Sequence, residues 1–173
     1  MKKILPFIFM LFGCASNQNY AVADIYSVDK SGVGKPVGEV VFKDTCNGMD
    51  VKVNLQHIPQ GNHGFHIHEN PDCRAAINNE GKIVAAHMAG NHYDPEQTGK
   101  HFGPENNHGH KGDLPQLTAC PNGKVNAEFH VKNLKVKEIM HRSVVIHEHG
   151  DNYQDTPQPL GGGGARIACG IIK

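Results

Sequence analysis

Val125-Asn126-Ala127-Glu128-Phe129-His130-Val131-Lys132 is the stretch that decides the fold. Apolar and polar residues alternate one for one along it, the pattern of a strand with one face on a core and the other in water. Just upstream, Asn122-Gly123 supplies the two residues that best tolerate the positive φ angles of a tight hairpin turn. Val51, Val53 and Leu55 repeat the alternation against Asp50, Lys52 and Asn54, and Asn47-Gly48 precedes them as a second turn signal. Ser31-Gly32-Val33-Gly34 marks a third turn. Extended over the chain, this reading gives strands near 22–29, 37–44, 50–56, 63–69, 114–119, 125–131, 143–148 and 165–171. With no amphipathic helix to set beside them, the strands predict an all-β chain, an antiparallel sandwich or barrel.

Two irregular stretches interrupt the strands. Residues 70–113 are rich in Asn, Gly, His and Pro, and a loop of that length inside one domain is expected to be functional or disordered. Residues 149–164 end in four consecutive glycines, Gly161 to Gly164. The chain has 173 residues, enough for one domain with its own core. Lys+Arg and Asp+Glu balance at 17 each, which argues against a nucleic-acid partner. Histidine is in excess at 13 residues and tryptophan is absent, so the long loops are expected to organise around metal rather than an aromatic core.

At the N-terminus Lys2 and Lys3 precede an apolar run from Ile4 to Phe12, too short to span a bilayer but suited to an export signal. Leu11-Phe12-Gly13-Cys14 resembles the lipobox of bacterial lipoproteins. This reading makes 1–13 the signal peptide, Cys14 the lipidated first residue, 14–23 a short tether and 24–173 the folded domain. Ordinary cleavage after Ala21-Val22-Ala23 is the alternative. Either cut removes Lys2 and Lys3 and leaves the mature chain slightly acidic. Membrane contact is then expected only through a lipid on Cys14. Export implies an oxidising compartment, in which Cys46, Cys73, Cys120 and Cys169 could pair in three ways that spacing alone does not separate.

His66-Ile67-His68 ends one strand, and residues two apart on a strand share a face, so both imidazoles can reach one site. Alone, such a pair would be read as two surface histidines. Val145-Ile146-His147 offers a third ring at the end of another strand. In the long loop His92, His101, His110 and Asp113 make a second set, three nitrogens and a carboxylate, which suits tetrahedral zinc. Such a loop has little apolar area to offset its ordering entropy, and a metal can supply that free energy.

Gly64-Phe-His-Ile-His-Glu69, Gly99-Lys-His-Phe-Gly-Pro104, Gly112-Asp-Leu-Pro115 and the run from Gly161 to Gly170 resemble copper/zinc superoxide dismutase of the bacterial periplasmic type, in the family's order, over about 24–173. The resemblance implies an eight-stranded Greek-key β-barrel with a long metal-binding loop and a second active-site loop. It implies one copper on His66, His68, His92 and His147, and one zinc on His92, His101, His110 and Asp113, with His92 shared as an imidazolate. Asp151 is expected to link a copper-ligand ring to a zinc-ligand ring, and His63 to be structural. Catalysis would rest on His92 and on Arg166, which would attract the anionic substrate, superoxide. The implied disulfide is Cys73–Cys169, and the implied assembly a monomer or a homodimer. Cys46 and Cys120 fall outside the family's pattern, at turns that its topology places at opposite ends of the barrel, and are not expected to pair. Arg74, Lys82, Lys100 and Lys111 are candidates for steering the substrate, and His108 and His149 are read as solvated. A metal-storage lipoprotein and an adhesive β-sandwich are the competing readings. Storage needs neither Arg166 nor a shared histidine, and adhesion needs no ligands.

Overall fold

The computed structural model describes residues 19–173. The expected signal peptide and Cys14 lie outside these residues. The strands are β1 (Tyr20–Asp29), β2 (Gly32–Thr45), β3 (Gly48–Leu55), β4 (Gly61–His63), β5 (Phe65–His68), β6 (Ala76–Ile77), β7 (Ile83–Val84), β8 (Leu117–Ala119), β9 (Val125–Val131), β10 (Ser143–His147) and β11 (Arg166–Ile171). Seven of them form one curled antiparallel sheet in the order β5-β10-β11-β1-β2-β3-β9, while β4 pairs with β8 and β6 with β7.

The alternation in the sequence becomes the two faces of this sheet. Val51 lies opposite Phe129 and Val53 opposite Ala127, so the inward residues of β3 and β9 meet each other. Lys52, Asn54, Asn126, Glu128 and His130 face solvent. Phe65 of β5 packs edge-on against Phe129 of β9, ring centroids 6.2 Å apart, joining the two ends of the curled sheet through the core. Phe42, Leu55, Ile67, Leu117 and Ile146 fill the interior between them. The Asn47-Gly48 and Ser31-Gly32 signals mark the β2–β3 and β1–β2 hairpins.

Four details depart from the sequence reading. The run 63–69 breaks at Gly64, so that β4 pairs with β8 while β5 pairs with β10. The break lets the chain cross from one sheet to the other. The strand expected at 114–119 shortens to β8, and the Asn122-Gly123 turn joins strands that leave in different sheets. The long segment carries a small hairpin, β6–β7, and a four-residue helix, α1 (Val136–Ile139), follows β9. Asp44, on β2, accepts a hydrogen bond from Val136 N at 2.8 Å and ties down the first turn of α1, a partner 92 residues away that no local window reveals. Finally, β1 begins at Tyr20, so 20–23 belong to the barrel and not to a tether: Ala21 and Ala23 are buried, and Val22 exchanges both backbone hydrogen bonds with Lys173.

Cys73 and Cys169 form a disulfide, with Cα atoms 5.8 Å apart, as implied. Cys46 and Cys120 are exposed and not bonded to each other. They stand at opposite ends of the β3–β9 pair, whose register runs from Met49–Val131 to Leu55–Val125. Six residues of strand separate those ends, about 20 Å.

Candidate metal centre

β5 and β10 are buried on both sides, and the period of two sorts their residues. Phe65, Ile67, Val144 and Ile146 enter the core. His66 and His68 take the other face, and His147 ends the neighbouring strand beside Gly64. The outer edge of β5 is closed by the long loop, through Ile67 N to Gly112 O at 2.8 Å and bridges pairing His66 with Asp113 and His68 with His92. The loop is thereby clipped to the strand as its fourth wall, and the two sets of histidines meet.

His66, His68, His92 and His147 each offer a nitrogen within 4.8 Å of the others, and His66, His92 and His101 converge as closely with a carboxylate oxygen of Asp113. His92 stands between the sets, its ring stacked 4.0 Å from that of His66 and 5.3 Å from those of His101 and His110. His110 lies at the margin of the second set, with Nδ1 3.5 Å from Asp113 Oδ1.

One nitrogen of most rings is fixed by the protein, and the other is left over. His66 Nε2 donates to Asp151 Oδ2 at 2.6 Å and His101 Nε2 to Asp151 Oδ1 at 2.8 Å. His68 Nδ1 donates to Gly90 O at 3.0 Å, and His147 Nδ1 lies 3.4 Å from Gly164 O. The Nε2 atoms of His68 and His147 then face each other at 3.4 Å. His66 Nδ1 and His110 Nδ1 are buried with no hydrogen-bond partner, and His101 Nδ1 lies 2.9 Å from Asp113 Oδ2, its neighbour in the second set. An unsatisfied buried polar group costs about 1–3 kcal/mol, so two in one small volume are a costly arrangement unless a cation takes them up. The donor set fits two borderline metals with nitrogen and carboxylate ligands.

Electrostatics follow the same division. Burial lowers the rings of His66, His68 and His147 and takes His92 down to about 3, so these rings are neutral at ordinary pH. Burial also acts against a charge on His101, but its hydrogen bonds to Asp113 and Asp151 outweigh it and hold that ring at about 9. Burial would raise Asp113, yet the His101, His110 and His92 rings set around it keep it well below the usual carboxylate range, and Asp151 is lowered likewise by His101 and His66.

An opening of about 290 Å³ reaches the first set and is lined by His68, Asn91, His92, His147, Leu160 and Arg166, among others. Arg166 Nη1 and Nη2 donate to Ala86 O and Gly90 O, both at 2.6 Å, which aims the guanidinium at this opening. Beyond Arg166, none of the lysines and arginines expected to steer a substrate is among its lining residues. Arg74 pairs with Asp72, Lys82 with Glu80 and Lys111 with Glu138, and Lys100 sits over the Phe102 ring. Each is held by a nearer partner. His63 bridges the carbonyls of His147 and Pro59 at 2.7 and 2.8 Å, a structural tie beneath the site. His108 and His149 are exposed.

Two residues of the second loop escaped the sequence reading. Asp155 Oδ2 accepts from His101 N at 3.0 Å, and the Tyr153 ring lies under Gly103, where a Cβ would approach it to 2.7 Å. With Asp151 they form an alternate-residue clamp on the loop that carries His101. Its spacing, i, i+2, i+4, was the one available signal.

A curled antiparallel barrel whose strand ends and long loop bring His66, His68, His92, His101, His110, His147 and Asp113 into one buried volume defines a metalloprotein with two adjoining metal sites. The chain belongs to the copper/zinc superoxide dismutase family, whose sequence profile it matches over residues 37–172. It is 50% identical over 150 residues to a copper/zinc superoxide dismutase of Brucella abortus, a match covering 86% of each chain. The solved structure of a copper/zinc superoxide dismutase from that organism superposes with a TM-score of 0.86 at 47% identity, covering 90% of this chain and all of the other. The solution structure of the monomeric enzyme from Salmonella enterica gives 0.78 at 43% identity, with the same coverage. Members of the family use copper and zinc to dismute superoxide, and the chain is therefore an oxidoreductase of that kind.

Proposed function

We propose that this protein holds copper on His66, His68, His92 and His147, holds zinc on His92, His101, His110 and Asp113, and with them converts two superoxide ions and two protons to oxygen and hydrogen peroxide in the cell envelope. The observation that carries this reading is the convergence of His68 Nε2 and His147 Nε2 at the opening that Arg166 lines, with the buried, unpartnered Nδ1 of His66 in the same cluster. When bound, copper supplies the one-electron chemistry, while zinc, which has no redox change of its own, adds fixed positive charge.

The protein's own groups do the rest. Arg166, held by two carbonyls, offers its remaining N–H donors and its charge to a small anion entering the opening. His92 Nδ1 lies 2.9 Å from Asp113 Oδ1, on the side assigned to zinc, so Nε2 is the atom that takes up or gives back a proton. Asp151 fixes the orientation of one ring in each set through a single carboxylate. Gly163 lets the second loop pass close along His147, and a Cβ at Gly164 would lie 2.7 Å from the His149 ring.

The Cys73–Cys169 disulfide fits an oxidising compartment, and the periplasm is the proposed location. We place the mature N-terminus at Cys14, with a lipid there as the membrane contact, because cleavage after Ala23 would delete the buried start of β1 and its bonds to Lys173. Intact-mass measurement of the envelope protein decides between the two cuts. Assembly as a monomer or a homodimer is read by sedimentation velocity.

The test of the site is superoxide consumption by metal-reconstituted protein beside a His147→Ala variant. Fast consumption by the parent and near-complete loss in the variant is expected. A metal-loaded but inactive parent would overturn the reading in favour of storage.

A further inference from the structure

The opening beside Arg166 is not alone in reaching the metal centre. A second groove, of about 210 Å³, lies between the long loop and the 131–134 stretch that follows β9, with Asp94, Glu96, Asn107, His110, Asp113 and Asn133 in its lining; Lys111 lines it too, its charge paired with Glu138. The two openings share no residue. At the inner end of the second lie two of the residues assigned to zinc. His110 is the most exposed of the zinc set, at 9% against 0% for His101, 2% for Asp113 and 3% for His92, and its Nδ1 is buried without a partner. Asp94 and Glu96 line the same groove, the Asp94 carboxylate accepting also from Thr98 Oγ1 and Gly99 N. Between its walls Asn133 Nδ2 donates to Asn107 Oδ1, tying the 131–134 stretch to a residue three before His110.

We propose that this groove is the path by which zinc enters and leaves the centre, that Asp94 and Glu96 receive the hydrated cation, and that the Asn107–Asn133 bond is the latch of the path. The inference rests on the assignment of zinc to His110 and Asp113. A divalent cation sheds its water more readily where carboxylate and amide oxygens replace it, and this groove supplies both. The other opening presents a guanidinium, which attracts the anionic substrate and repels a cation. Substrate and zinc thus use separate doors, and the enzyme need not expose its copper side to exchange zinc.

The experiment uses the fully metallated protein and follows zinc release to a chromogenic chelator alongside copper release to a copper-specific one. Zinc content of the parent is read first. A parent without zinc would overturn the ligand assignment and this inference with it. In a zinc-loaded parent, Asn133→Ala is expected to raise the zinc release rate about threefold to tenfold, as an opening step that no longer breaks that hydrogen bond, with copper release unchanged. Glu96→Gln is expected to slow zinc uptake by zinc-depleted protein at low salt, the difference fading as salt screens it. Equal zinc release in parent and Asn133→Ala, or an equal rise in zinc and copper release, would overturn the groove while leaving the ligand assignment standing.

Discussion

Gly161 closes on Asp151: a Cβ at Gly161 would lie 1.9 Å from the Asp151 Oδ1 that holds His101. The backbone there has φ of +70°, so the residue is glycine both for its conformation and for its contact. The glycine run is therefore the floor of a zinc-ligand support and not a flexible linker. Gly161→Ala should push the carboxylate off His101 and weaken zinc binding about 10- to 100-fold, the usual scale for losing such a support. Competition against a zinc chelator measures it, and unchanged affinity would show that Asp151 has room to move.

Asp151→Asn tests the same support by chemistry rather than space. An amide has one acceptor oxygen and one donor nitrogen, so it cannot accept from both His66 Nε2 and His101 Nε2 as the carboxylate does. We expect the barrel to keep its circular dichroism while zinc affinity falls about 10- to 100-fold and copper affinity falls too. Loss confined to copper would place the main support elsewhere.

The disulfide joins Cys73, across 96 residues, to a strand that carries Arg166 three positions earlier. Ala86 and Gly90, whose carbonyls hold Arg166, lie in the loop that Cys73 begins. Cys73→Ser with Cys169→Ser should lower unfolding free energy by about 4–5 kcal/mol on the chain-entropy estimate. It should also reduce kcat/KM for superoxide more than it reduces metal content, because the guanidinium loses its aim. Denaturant unfolding and metal analysis read the two effects separately.

The metal-free protein should be most stable near pH 6.5. His66, His68, His92 and His147 have rings lowered by burial, His92 to about 3, so below about 6.5 the unfolded chain binds protons that the folded one refuses, and stability falls as pH drops. His101 is raised to about 9, so its contribution is complete below about 6.5 and is lost as pH climbs through 9. Melting temperature of the apoprotein between pH 4 and 10 checks this. A continuous rise above pH 7 would remove His101 as a charged partner of the two aspartates.

The strands were legible because each is a local pattern. Val125 to Val131 and Val51 to Leu55 carry their two faces in consecutive residues, and a window of eight suffices to read them. The helix at Val136 was not legible: four residues have no period to detect, and its first turn is tied to Asp44 on a strand far upstream. The break at Gly64 was hidden for a related reason, since a strand that changes sheets keeps its alternation while changing partners.

For the site, the sequence by itself determined the ligand types and their faces. His66 and His68 share a side of β5 because strands repeat every two residues, and the long loop needed something other than apolar area to order it. Family resemblance added which histidines group together and which cysteines pair. Tertiary structure alone decided the orientation of each ring, and so which nitrogen is left for a metal. That choice falls to Asp151 for His66 and His101 and to Gly90 for His68, partners 22 to 85 residues distant. It also decided that Lys111 and Arg74 are spent on other carboxylates and that Asp155 and Tyr153 grip the zinc loop. An imidazole is symmetric enough to serve through either nitrogen, so its sequence position cannot say which one it presents. Only a hydrogen bond from a remote part of the chain, fixed once the barrel has closed, selects it.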